Sequence, residues 1–182
     1  MAFMFGYCKA LTSLNVSGFD TNQVTTMEYM FIDCWVLTNL NLSSFVNSKV
    51  TNMSYMFKNC ESLTSLDVSN FDTSKVTNMR SMFESCESLT SLDVSSFNTS
   101  SATNMTCMFD GCRSLTSLDI SNFTFGNSLS SYTYIFRRVG YNNSENTTVT
   151  VNSSTEQTWI LGLSTSNRPT GWTTANVVVK TA

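Results

Sequence analysis

The sequence contains no histidine. Histidine is the usual general base of nucleophilic catalysis and the commonest imidazole metal ligand, so both chemistries lose their ordinary residue. Cysteine does not fill the gap. The chain has six cysteines but no Cys-x-x-Cys pair, and so no zinc-ligand spacing. Charge is scarce as well: Lys, Arg, Asp and Glu make up 13% of 182 residues, with a formal net charge of −3. Nucleic-acid binding needs clustered Lys and Arg and is not expected. No glycine-rich phosphate loop is present, and no apolar run approaches the length of a membrane span, so membrane insertion is not expected. The first residues lack the charged, apolar and small-residue layout of a secretory leader. Nothing supplies a buried, raised-pKa acid of the kind glycoside hydrolysis requires. The chain reads as a non-enzyme without a cofactor or a metal.

What the sequence has instead is repetition. The phrase Cys-Glu-Ser-Leu-Thr-Ser-Leu-Asp-Val-Ser occurs twice, from Cys60 and from Cys86. Met4-Phe5, Met30-Phe31, Met56-Phe57, Met82-Phe83 and Met108-Phe109 follow one another at intervals of 26 residues, and Ile135-Phe136 closes the series at 27. A fixed period of this size marks a stack of supersecondary units, each of which buries its apolar face only against its neighbours. In the clearest copy Leu66 and Val68 alternate with Ser65, Asp67 and Ser69, as in a short strand. Val76, Met79, Met82, Phe83 and Cys86 then recur at helical spacing, with Thr77 as an N-cap. The expected fold class is therefore α/β: a solenoid with a parallel concave sheet and short convex helices. Residues 1–136 form about five repeats and residues 137–182 a C-terminal capping segment of the same domain. In that segment Val149 and Val151 read as a strand, and Ser154 with Gln157 as a capping box opening a helix through Trp159 to Leu163. A turn at 168–171 and a last strand at 177–179 follow, with Trp159 and Trp172 closing the core and Lys180 discouraging edge pairing. Met1 stands at the repeat position of Met27, Met53, Met79 and Met105, so the array is expected to begin upstream, with an uncapped N-terminal end open to self-association.

The phrase S-L-T-S-L-D-V-S-x-F-x-T-S-x-V-T-N-M-x-x-M-F-x-x-C, fullest at 62–86 and 88–112, resembles the BspA-like leucine-rich-repeat surface proteins of bacteria. The second copy departs from it at Ala102, where Val is usual. The resemblance covers residues 1–136 and, less specifically, the segment from Gln157 to Trp172. It implies a cell-surface or secreted protein, part of a larger chain, that adheres to host matrix, other cells or proteins without catalysis. A structural part in an extracellular or viral tail or fibre assembly is the alternative, with a virion location.

Three sets of residues are candidates. Cys8, Cys34, Cys60, Cys86 and Cys112 share one repeat position and read as a reduced, buried ladder of small apolar groups. Cys107 falls outside it and reads as partly exposed and reactive. On the concave face, Ser65, Asp67, Ser91, Asp93, Ser117 and Asp119 repeat so uniformly that a repetitive ligand such as a glycan suits them. Carboxylates about 5 Å apart repel by roughly 1 kcal/mol in water, which flanking hydroxyls or a weakly held cation would relieve. On the convex side, Phe3, Tyr7, Tyr29, Ile32, Trp35 and Tyr55 stand where later copies carry Ser, Lys, Glu, Asp or Arg. They read as an aromatic patch for a protein or glycan partner.

Overall fold

The computed structural model describes residues 1–125, 129–143 and 146–181. It is an α/β structure with few helices and with parallel strands in two sheets. Strands β1 (Ser13–Leu14) and β2 (Asn39–Leu40) form one sheet. Strands β3 (Ser91–Asp93), β4 (Ser117–Asp119), β5 (Thr148–Val151) and β6 (Val177–Val179) form the other, in that order. The register follows the repeat: Leu14 lies opposite Leu40, and Leu92 opposite Leu118. Alternation holds as well, since Leu92 is buried between exposed Ser91 and Asp93. Between β2 and β3 the ladder is interrupted, and among the described residues 65–67 no strand forms. Strands β1 to β4 are short because each is closed by an Asx turn, and the same turn recurs at Asp67 in the copy without a strand. The side chains of Asn15, Asn41, Asp67, Asp93 and Asp119 each accept the backbone N–H two residues on, at 2.9–3.0 Å.

The short convex helices expected from the Met and Phe spacing do not form in residues 1–125. In an α-helix each N–H bonds four residues back in its own segment. Here alternate N–H groups leave their copy. Met27, Tyr29, Phe31 and Asp33 donate to the carbonyls of Asn52, Ser54, Met56 and Lys58 in the next one, at 2.9–3.0 Å. The residues between them, Met30, Ile32 and Cys34, donate only three residues back. Each copy holds two left-handed residues four positions apart: Tyr29 and Asp33 at φ 57° and 58°, Tyr55 and Asn59 at 60° and 59°, Ser81 and Ser85 at 54° and 58°. Such a chain of tight turns keeps Met27, Met30, Phe31 and Cys34 on one buried face. It thus reproduces helical spacing without a helix. Identical neighbours make this favourable, because each outgoing N–H finds the same acceptor 25 residues later. Thr77, expected as an N-cap, instead sends both its N–H and its hydroxyl to the Thr51 carbonyl.

The core is a set of columns, one residue per copy. Phe5, Phe31, Phe57, Phe83, Phe109 and Phe136 stack nearly parallel with ring centroids 5.6–5.9 Å apart. Met27, Met53, Met79 and Met105 are fully buried beside them. Buried polar groups clasp adjacent copies: Thr21 Oγ1 donates to the Val46 carbonyl and accepts from its N–H, and Asn47 does the same toward Asp72. Such reciprocal pairing lets a polar side chain sit inside without an unsatisfied group.

Beyond the last Phe of the column, β5 and β6 continue the sheet of β3 and β4. Helix α1 (Ser154–Gly162) is the one α-helix among the described residues. Its capping box is Ser153 with Glu156, one residue before the expected Ser154 and Gln157. Gln157 turns away and donates from Nε2 to the Val177 carbonyl at 2.6 Å. Trp172 is buried against Phe136, whereas Trp159 is half-buried and stacks on Phe125 at 4.3 Å. Lys180 donates its N–H to Val151 and reaches Ser121 Oγ at 3.2 Å. Gly140 has φ +62°, and a Cβ there would lie 1.9 Å from Thr147 Oγ1, so only glycine fits. Among the described residues no helix is long and apolar enough to cross a membrane.

Candidate binding surfaces

The cysteine ladder lies inside. All six cysteines are free. Cys34, Cys60, Cys86 and Cys112 each donate from Sγ to the carbonyl of Phe5, Phe31, Phe57 and Phe83, one copy back, at 3.1–3.3 Å. Burial pushes the Cys34 thiol up to about 11 and the thiols of Cys60, Cys86 and Cys112 further upward. Cys8 is only half-buried. Cys107 corrects the expectation of an exposed, reactive thiol: it sits at a left-handed position, is buried, and has its pKa raised first by desolvation and then by Glu84 and Asp110.

The concave candidates are presented to solvent, with Asp119 partly covered. Asp93 and Asp119 lie in register on β3 and β4. Each carboxylate is used locally, however. Asp67 accepts from the backbone N–H of Ser69, and that hydrogen bond, followed by the Ser69 hydroxyl, holds its carboxyl below the ordinary value. Asp119 lies 4.0 Å from Lys180 Nζ. Among the described residues no group of three or more ligating side chains is arranged to hold a metal ion. Shallow grooves flank the unpaired segment. One is bounded by Asn39, Asn41, Ser65 and Asp67, the other by Ser65, Asp67, Ser91 and Asp93.

The convex aromatics divide. Phe3, Tyr29 and Tyr55 form one stacked column, with centroids 4.3 and 4.6 Å apart, and Tyr7 lies 6.4 Å from Phe3. The Arg80 guanidinium ends the column, 5.8 Å from the Tyr55 ring, and its Nε donates to the Tyr55 hydroxyl. Burial, then the charges of Tyr55 and Glu28, pushes the Tyr29 phenol up. Trp35 stands apart under Lys9 Nζ at 4.2 Å. Ile32 does not join the surface: it is 6% exposed. Phe3, Tyr7 and Trp35 are 48%, 56% and 39% exposed. All four ring positions Phe3, Tyr7, Tyr29 and Tyr55 have positive φ, where a bulky side chain is uncommon and costs on the order of 1–2 kcal/mol. Later copies carry Ser81 and Cys107 in the column of Phe3, Tyr29 and Tyr55.

A fourth feature escaped the sequence reading. Asp110 is fully buried and accepts from two guanidinium groups: Arg137 through Nε (2.9 Å) and Nη2, and Arg138 through Nε (3.0 Å) and Nη2 (3.1 Å). The hydrogen bond to Asp110 raises the Arg137 pKa. Above this clamp opens a pocket of about 510 Å³, lined by Arg137, Arg138 and Arg168 and by Tyr141, Thr165, Pro169 and Thr170. The one available signal was compositional: four of the five arginines fall at 113, 137, 138 and 168.

A family model described as a Mycoplasma protein of unknown function, DUF285, matches residues 1–66 and again residues 37–149. No curated protein and no solved structure matches the chain.

Proposed function

We propose, for a chain that belongs to the DUF285 family, that it is a non-catalytic binding module of leucine-rich-repeat solenoid type, of the BspA-like kind, borne on a bacterial cell-surface protein. In this reading residues 137–182 close the stack, and binding spreads over a rigid surface. The observation that carries it is the convex aromatic column. Phe3, Tyr7, Tyr29 and Tyr55 occupy left-handed positions that the fold fills elsewhere with Ser81, Ser85, Asn59 or Gly111. The backbone does not need rings there. Rings held at a conformational cost, with Phe3 and Tyr7 about half exposed, serve something outside the core. Aromatic side chains supply large contact area with few rotatable bonds, which suits a protein or glycan partner.

The test uses residues the repeat already accepts. Phe3 shares a column with Ser81, and Tyr7 with Asn59. The double variant Phe3→Ser, Tyr7→Asn, at two half-exposed positions, is expected to melt like the parent and to lose binding on an array of glycans and matrix proteins. Equal binding by both proteins would remove the column from the argument. The alternative, a structural part of an extracellular or viral assembly, predicts no array binding and a solution mass that grows with concentration, which the double variant abolishes.

A further inference from the structure

The arginine pocket is an electrostatic exception in this chain. The protein carries a formal net charge of −3, yet three guanidinium groups line one cavity. Among the described residues their single close counter-charge, Asp110, lies beneath them and is fully buried. The local balance of Arg137, Arg138, Arg168 and Asp110 is therefore +2. No carboxylate is among the described lining residues. Asp110 also fixes the geometry. It takes the Nε and Nη2 of both Arg137 and Arg138, and among the described residues neither Nη1 has a protein acceptor. Two pre-oriented donor groups thus remain for a ligand, on side chains that have already lost most of their rotational freedom. Arg168 is held from the other side, with Nη1 on the Pro169 carbonyl and Nη2 on that of Leu161. Its Nε is buried without an acceptor among the described residues.

The rest of the lining narrows the ligand. A cavity of about 510 Å³ falls in the usual size range of small-molecule sites, about 300–1,000 Å³, and is far larger than a bare oxyanion needs. The rings of Tyr141 and Pro169 offer a flat apolar wall, and the hydroxyls of Thr165 and Thr170 add donors and acceptors. Tyr141 is 65% exposed, and the Arg113 guanidinium lies 5.7 Å from its ring. We infer that the pocket binds one acidic sugar unit: a hydroxylated ring bearing a carboxylate or sulfate. The oxyanion meets the Nη1 groups of Arg137 and Arg138, the ring C–H face lies on Tyr141, and ring hydroxyls reach Thr165 and Thr170. A free anion uses the arginines alone, and a neutral sugar leaves their charge unanswered. This site involves none of the convex aromatics, so its failure leaves that surface untouched and the reverse holds too.

The experiment is titration calorimetry on the whole chain with glucuronate, a sulfated glucose, glucose and inorganic phosphate. Glucuronate or the sulfated sugar is expected to bind, more weakly as salt rises, with glucose showing no heat. Arg138→Gln removes one charged donor and is expected to weaken binding about tenfold. Tyr141→Ala, at an exposed position, is expected to weaken the acidic sugars and leave phosphate unchanged. Circular-dichroism melting of both variants checks that the fold survives. Phosphate binding as tight as the acidic sugars, or a Tyr141→Ala variant with unchanged sugar affinity, would overturn the sugar assignment. Absence of heat from all four probes would overturn the site.

Discussion

The sign of one glycine–alanine comparison separates a chain of turns from a helix. Ser85 has φ 58° and is partly exposed, and its N–H donates to the Asp110 carbonyl at 2.7 Å. The same column holds Gly111 in the next copy, also at positive φ. On a helix, Ser85→Gly would be less stable than Ser85→Ala by about 1 kcal/mol, because glycine loses more backbone freedom and alanine is the best helix former. At a left-handed residue the order reverses. Alanine then bears a Cβ clash of about 1–2 kcal/mol that glycine escapes, which outweighs glycine's extra entropy loss of about 0.5–1 kcal/mol. The expected result is a glycine variant more stable than the alanine variant by up to roughly 1.5 kcal/mol, against the opposite sign for a helix. For a chain of this length that is about 2–4 °C in melting temperature per kcal/mol. Thermal melts followed at 222 nm, supported by urea midpoints, resolve such a difference. An alanine variant more stable than the glycine variant would refute the turn geometry and restore the helix.

Two further outcomes follow from the buried thiols and the Asx turns. At pH 8 a thiol reagent is expected to modify Cys8 quickly and the other five cysteines only after denaturation, since burial raises or hides them; labelling of Cys60 or Cys107 at the rate of Cys8 contradicts the ladder. Asp67 and Asp72 are held below the ordinary carboxyl pKa by hydrogen bonds from Ser69 and Ser74. Their contribution is therefore complete above the unfolded value near 4 and is lost as pH falls through the lower folded value. A variant with Asp67→Asn and Asp72→Asn should show a shallower loss of melting temperature between pH 4 and pH 2; an unchanged slope means these turns do not sense protonation.

The repeat made much of this architecture legible, because register is set by side-chain identity at fixed intervals. Ser91 opposite Ser117 and Leu92 opposite Leu118 could be read directly from the 26-residue offset. Strand β6 was equally plain in Val177 to Val179. The convex layer was not, because Met79, Met82, Phe83 and Cys86 carry the same spacing in a helix and in a chain of turns with left-handed residues at Ser81 and Ser85. The telling signal was polar: Asp33, Asn59 and Gly111 share a column, and these residue types tolerate positive φ. The cap of α1 was misplaced by one residue because Ser153-x-x-Glu156 and Ser154-x-x-Gln157 fit the same pattern. The arginine pocket had no linear motif at all. It is assembled from residues 137 to 170 and rests on Asp110, a buried carboxylate whose column holds Ile32, Lys58 and Glu84 in earlier copies.

The outgoing amides of each convex segment have a consequence for how such a chain changes length over generations. The junctions from Phe5 to Met108 are built from the same donors and acceptors at the same offset, whether between Phe31 and Met56 or between Phe83 and Met108. A duplication or deletion of one whole 26-residue unit by unequal recombination therefore regenerates identical junctions on both sides of the event. Stack length becomes a quantity that genetics can alter in single steps without any new packing problem. A gain or loss of residues within the turn segment itself, between Met27 and Cys34 for example, sends the amides beyond it to the wrong carbonyls, whereas the extra residue before Ile135 lies outside that segment and leaves Phe136 in its column.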